Sequence, residues 1–234
     1  MAASLRTALT APFVVLCEGE ADHAFLGVLR ERRGLGPFDL PFPPASPPPD
    51  EPPLYGFDGF VNMLHRIAAE GRLDLTLWSR LRGIIAVADA GDRPPGRLQR
   101  FATFCATAGF GAPAAVGQWT PSPPPLPPVA LVLVPIRGKG GLETVCLEYL
   151  RSLHADAARC LDAYLACLPP LRRSAEKRDK AALACLTAGI DRSNPTRALK
   201  MTFSGTPPLI DVTDPRFTPF ATVLGALLGA VPPR

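Results

Sequence analysis

Two carboxylates, Glu18 and Asp22, follow directly on the apolar run Phe13-Val14-Val15-Leu16, with Gly19 between them. A second acidic pair, Asp89 and Asp92, follows a second apolar run, Gly83-Ile84-Ile85-Ala86-Val87-Ala88. A third acid, Glu143, stands beyond a third run, Val129-Ala130-Leu131-Val132-Leu133-Val134, across the turn Gly138-Lys139-Gly140-Gly141. Short continuous apolar runs bounded by turn residues read as buried strands, and ligands of parallel sheets bind beyond the carboxyl ends of such strands. A hard divalent cation, Mg²⁺ or Mn²⁺, takes oxygen ligands, and in phosphoryl-transfer sites one or two carboxylates are joined by waters and substrate phosphates. Brought together at one end of a sheet, Glu18, Asp22, Asp89, Asp92 and Glu143 would supply that site.

Each of these residues also has a structural alternative. Asp22 would serve as a helix N-cap, and Asp89 and Asp92 as turn residues around a positive-φ Gly91. Glu143 would gain from the dipole at the start of a helix, and Lys177 and Lys180 would form a solvated helix face. What favours chemistry is the placing of the first two acid clusters directly behind apolar strands. The glycine-rich turn lacks the Gly-x-x-x-x-Gly-Lys-Ser/Thr spacing of a nucleoside-triphosphate loop, yet its amides, with Lys139 and Gly140, would suit a nucleic-acid phosphate. The three histidines, His23, His65 and His154, share no zinc-like spacing, and no serine or cysteine has a recognisable base partner.

Positioning such residues requires strands over residues 13–16, 83–88 and 129–134. Helical apolar spacing predicts helices over 22–33, 57–70 and 97–108, a long helical region over 142–188 broken at Pro169-Pro170, and a closing helix over 217–228. Two weaker strands are expected at 114–119 and 209–212, and proline-rich loops at 41–53 and 121–128. Strands alternating with helices imply an α/β fold with a mostly parallel sheet covered on both faces. The length of 234 residues fits a single domain, with its core over about 12–150 and a helical C-terminal part over about 151–234.

Hydrophobic residues at 47% and charged residues at 20% exclude wholesale disorder. The net charge of +4 permits a polyanionic partner without demanding one. The six cysteines form no C-x-x-C pair and are expected as reduced core residues of a cytoplasmic protein. No apolar stretch approaches a membrane span.

These motifs together resemble the Toprim domain, the metal-binding fold shared by topoisomerases, bacterial primases and the OLD (overcoming lysogenization defect) nucleases. The resemblance rests on Glu18-Gly19 with Asp22, on Asp89 with Asp92, and on Val134-Pro135-Ile136-Arg137-Gly138-Lys139-Gly140-Gly141-Leu142-Glu143. A lysine-bearing segment, Lys177-Arg178-Asp179-Lys180, and a closing Asp211-Val212-Thr213-Asp214-Pro215-Arg216-Phe217 extend it to most of the chain. It is nearest to the small stand-alone Toprim-like relatives of the OLD nucleases. It implies a Rossmann-like sheet and a nuclease dependent on Mg²⁺ or Mn²⁺, with DNA expected ahead of RNA as its nucleic acid. It also implies Glu18 as ligand or general base, Asp22, Asp89, Asp92 and Glu143 as ligands, and Lys180, with Lys177 next, as the lysine facing the transferring phosphate. The family usually shows Asp-x-Asp at the second motif, where this chain has Gly91 at the matching spacing. OLD nucleases usually carry an ATPase, and this chain has no Walker motif, so a separate ATPase partner and self-association are further expectations. The alternative implied by the Gly91 departure is a catalytically degraded module that binds nucleic acid or a partner protein.

Overall fold

In a computed structural model, the described residues are 9–41, 55–73, 75–167, 175–204 and 207–230. Three parallel strands form the centre: β1 (Phe13–Cys17), β2 (Gly83–Asp89) and β3 (Val129–Val134), in the order β1-β2-β3. Parallel pairing requires crossover connections, and helices supply them: α1 (Glu20–Arg33), α2 (Gly59–Leu73) and α3 (Leu75–Arg80) before β2, then α4 (Pro94–Thr107) before β3. After β3 come α5 (Leu142–Leu153), α6 (Ala155–Ala166), α7 (Ala175–Ile190) and α8 (Thr218–Gly229).

Side chains alternate along each strand, so the sheet has two buried faces. Phe13, Val15, Ile85, Val87, Ala130 and Val132 pack with Phe25, Cys146, Leu183 and Leu224 from α1, α5, α7 and α8. Val14, Leu16, Ile84, Ala86, Val129 and Leu131 pack on the other face with Phe60, Leu64 and Phe101 from α2 and α4. The chain is therefore an α/β protein with a parallel sheet covered on both faces and a helical C-terminal part, as the strand pattern predicts. Among the described residues, no helix is long and apolar enough to cross a membrane.

Several expected elements are different. No strand forms over 114–119; Gly117, at φ 73, breaks the extended path, so the segment meets β3 through the Gly117 amide on the Leu131 carbonyl at 2.7 Å and an isolated bridge of Thr120 with Val129. Trp119 from this segment lies against Gly83, where a Cβ would come within 2.3 Å of the indole. It stacks on Phe13 at 5.9 Å and donates Nε1–H to the Leu227 carbonyl at 3.2 Å. Residues 209–212 bury Ile210 and Val212 without a strand ladder, because Asp211 accepts the Thr213 amide and hydroxyl and turns the chain. The long helical region divides at His154, and Pro169 and Pro170 lie outside the described residues, as does most of the 41–53 loop. Helix α4 starts earlier than expected because Pro94, with its fixed φ, suits a first helical position. Of the six cysteines only Cys105 and Cys146 are buried; Cys160 and Cys185 are exposed because helical periodicity turns them outward on α6 and α7, and Cys167 is exposed at the end of α6.

Candidate functional site

The register of the sheet begins the site. Cys17 pairs with Val87 and Asp89 with Val134, so Glu18 leaves β1 level with the last residues of β2, and Asp89 ends the middle strand. The Asp89 amide donates to Glu18 Oε1 at 2.9 Å. The Asp89 carboxylate then accepts the Leu142 amide at 2.9 Å, at the start of α5. One residue thus joins the ends of β1 and β2 to the helix that follows β3.

Close approach of Asp89 to α5 requires glycine at position 141, where a Cβ would stand 2.5 Å from Asp89 Oδ1. The backbone there, at φ −146, suits any residue, so the constraint is space alone. Gly141→Ala is expected to push Asp89 off the Leu142 amide, destabilising the fold by about 1–3 kcal/mol. Thermal unfolding checks this, and a variant as stable as wild type would contradict it.

Asp22 stands in the first turn of α1, whose N-cap is Gly19 and not Asp22 itself. Glu143 stands in the first turn of α5 and is only 7% exposed, unusual for a glutamate. Lys180 Nζ, on α7, lies 3.2 Å from Glu143 Oε1, and the neighbouring Asp179 accepts the Thr144 hydroxyl at 2.6 Å. These two contacts dock α7 beside the acids and put Lys180 against Glu143.

Glu18, Asp22, Asp89 and Glu143 act on one another. Burial raises the Asp22 carboxyl to about 7, with the charges of Glu18 and Glu143 adding to it and the amides of Gly19 and Asp22 opposing. Burial raises Asp89 to about 9, helped by Asp22, Glu18 and Glu143 and opposed by the Leu142 amide. The same surroundings push the Cys17 thiol up to about 12, first through burial and then through Asp22. A set of half-buried acids that disfavour one another's charge is relieved either by protons or by a cation.

Among the described residues, no three histidines, cysteines or acids are grouped as a ready coordination shell. One oxygen each of Glu18 and Asp89 is already turned onto a backbone amide. The chemistry of the donor set still fits a hard divalent ion: four carboxyl groups, all oxygen donors, near enough for their charges to disfavour one another until a proton or a cation offsets them. No family model, curated protein or solved structure matches the chain.

Asp92 stands apart from the other four acids. Gly91, at φ 63, turns the chain and pairs with Gly140 through two hydrogen bonds of 2.7 and 3.0 Å. Asp92 follows that turn as an exposed residue in a hollow shared with arginines, and its charge is not among those raising Asp22 and Asp89. The expected amide contribution of the glycine-rich turn is altered too. The Gly140 amide donates to the Gly91 carbonyl at 3.0 Å, the Gly141 amide to Thr144 Oγ1 at 3.1 Å, and the Leu142 amide to Asp89. Gly140 is therefore a turn-former at φ 109 and not a phosphate donor, while Lys139 is exposed at the tip of the turn.

The arginines lining the Asp92 hollow, Arg93, Arg97 and Arg100, are functional candidates that the strand-end acids do not point to. Their spacing of four and three residues is a helical-face signal readable in the sequence.

Proposed function

We propose that this chain binds Mg²⁺ or Mn²⁺ through Glu18, Asp22, Asp89 and Glu143 and hydrolyses phosphodiester bonds of nucleic acid, with DNA the substrate to test first. The observation that carries the reading is the gathering of these four carboxylates, from the ends of β1 and β2 and the first turns of α1 and α5, around the Asp89 hydrogen bonds. Their agreement with the Toprim-like motif order supports it. The cation, when bound, would lower the pKa of an attacking water and neutralise charge on the phosphate.

The chain's own groups do the rest. Hydrolysis moves a water proton to a base while the water oxygen bonds to phosphorus, the ester P–O bond breaks, and the departing oxygen takes a proton from solvent. Glu18, oriented by the Asp89 amide on Oε1, has its other oxygen for one of two tasks, holding the ion or taking the water proton; when it is the base, Asp22, Asp89 and Glu143 hold the ion. Lys180, held beside Glu143, meets the negative charge that develops on the phosphate oxygens. Lys139 lies at the rim for a neighbouring phosphate.

Purified protein with plasmid and single-stranded DNA, with Mg²⁺ or Mn²⁺, is expected to cleave, and Glu18→Ala to lower the rate at least about 100-fold. No cleavage by wild type with either ion, or equal cleavage by Glu18→Ala, would refute the assignment.

A second reading is favoured by one observation, the departure of Asp92 from the acid cluster. In it the module binds nucleic acid or a partner protein without cutting. Calorimetry separates the two, since tight divalent binding that depends on Asp89 counts against a degraded site.

A further inference from the structure

Beside the acid cluster, past the end of β2, is a hollow of about 380 Å³ lined by Gly91, Asp92, Arg93, Gly96, Arg97 and Arg100. Three of its six lining residues are arginines: Arg93 at the N-cap of α4, and Arg97 and Arg100 within its first two turns. Arginine is suited to phosphate because its planar guanidinium presents paired donors to two oxygens at once.

Arg97 and Arg100 are held in place by neighbours that leave them charged. Arg97 lies 4.4 Å over the Phe57 ring, and its Nε would be 3.2 Å from a Cβ at Gly91. Arg100 stacks 5.7 Å from both Phe57 and Phe104 and pairs with the exposed Asp58. Stacking on ring faces restricts the guanidinium groups before any ligand arrives, so less freedom is lost on binding.

Two links fix this face relative to the acids. The amide of Gly56, next to Phe57, donates to the Glu18 carbonyl at 2.7 Å. Gly91, which abuts Arg97, lies two residues beyond Asp89 on the same chain path. The arginine face and the carboxylates therefore sit side by side, one cationic and one anionic.

We propose that Arg93, Arg97 and Arg100 seat a backbone phosphate of a polynucleotide, next along the strand from the phosphate held at the acid cluster. The proposal rests on the nuclease reading only for the second of these phosphates. Contacts of this kind read the backbone and not the bases, so binding is sequence-independent and strongly dependent on salt. A substrate that ends at the scissile group leaves this seat unused.

Binding of a fluorescein-labelled oligothymidylate, followed by anisotropy in EDTA, tests the seat without cleavage. Arg93→Gln with Arg100→Gln is expected to weaken binding about tenfold, and to reduce the salt slope by about 0.7 per phosphate contact removed. Arg159→Gln, which removes an equal single charge on α6, is expected to leave binding unchanged. Because Arg100 also pairs with Asp58, Arg93→Gln alone, exposed at the start of α4, serves as the variant least able to disturb folding. Wild-type affinity and salt slope in both Arg93→Gln and the double variant, or equal weakening by Arg159→Gln, overturns the proposal. Binding that depends on the arginines in a protein that cuts nothing would retain the seat and refute the nuclease reading. Cleavage of oligonucleotides with no loss in the arginine variants would do the reverse.

Discussion

Asp89→Asn is expected to abolish metal-dependent cleavage and, in the same protein, to raise the melting temperature measured without metal. The two effects have one origin. Asp89 is held at about 9, mainly by burial and then by Asp22, Glu18 and Glu143, so at neutral pH the fold keeps a proton on a group that the unfolded chain would ionise. Asparagine keeps an oxygen for the Leu142 amide and removes that penalty. Each pKa unit is worth about 1.4 kcal/mol, and the acids titrate as a coupled set, so the gain is put on the order of 2 kcal/mol. For a chain of this size that is a rise of roughly 4–8 °C. Cleavage should fall about 1000-fold or more, to below detection, since a ligand on the middle strand is lost. A variant that melts lower than wild type in EDTA, or that still cuts, contradicts this account of Asp89.

The second large effect is a dependence of stability on pH that divalent ions reverse. Asp22 and Asp89 both have folded values above their usual one, about 7 and about 9 against 3.8. For such acids the folded state binds more protons than the unfolded state, so stability is fully present below about 4 and falls as pH rises. The fall runs through about 7 for Asp22 and ends near 9 for Asp89. Without metal, the melting temperature should therefore drop between pH 5 and 9. Mg²⁺ or Mn²⁺ should restore it, and more so at pH 8 than at pH 6, because the ion competes with protons for the same oxygens. A flat profile in EDTA, or ions that act equally at all pH values, would count against a cation site at these acids.

The parts of the site readable in the sequence are those set by strand direction. An acid directly after an apolar strand must emerge at the sheet's carboxyl end, which is why Glu18 and Asp89 could be placed together. Glu143 follows from the turn after the third strand, and its contact with Lys180 depends on α7 docking far along the chain. Asp92 was not placeable, because its direction depends on the Gly91 dihedral and on a pairing with Gly140 forty-nine positions away. The same pairing removes the Gly140 amide from the groups that could meet a phosphate. The arginine face of α4 is periodic in the sequence, but its neighbour, Phe57, comes from before β2, and spacing alone carries no sign of that contact. Local pattern also misled at 114–119, where a broken strand and a continuous one differ by a single glycine.

The stack of Trp119 on Gly83 has a practical consequence for spectroscopy. The chain contains two tryptophans, and both lie toward the amino ends of the strands: Trp119 against the first residue of β2, and Trp78 beside Arg82 and Pro128. Asp89 closes the other end of β2, roughly 20 Å away at strand rise. Intrinsic emission therefore follows loss of the sheet while remaining nearly blind to ions at the acids. One cuvette can report unfolding in the presence of a paramagnetic quencher such as Mn²⁺ without the signal being confounded by occupancy.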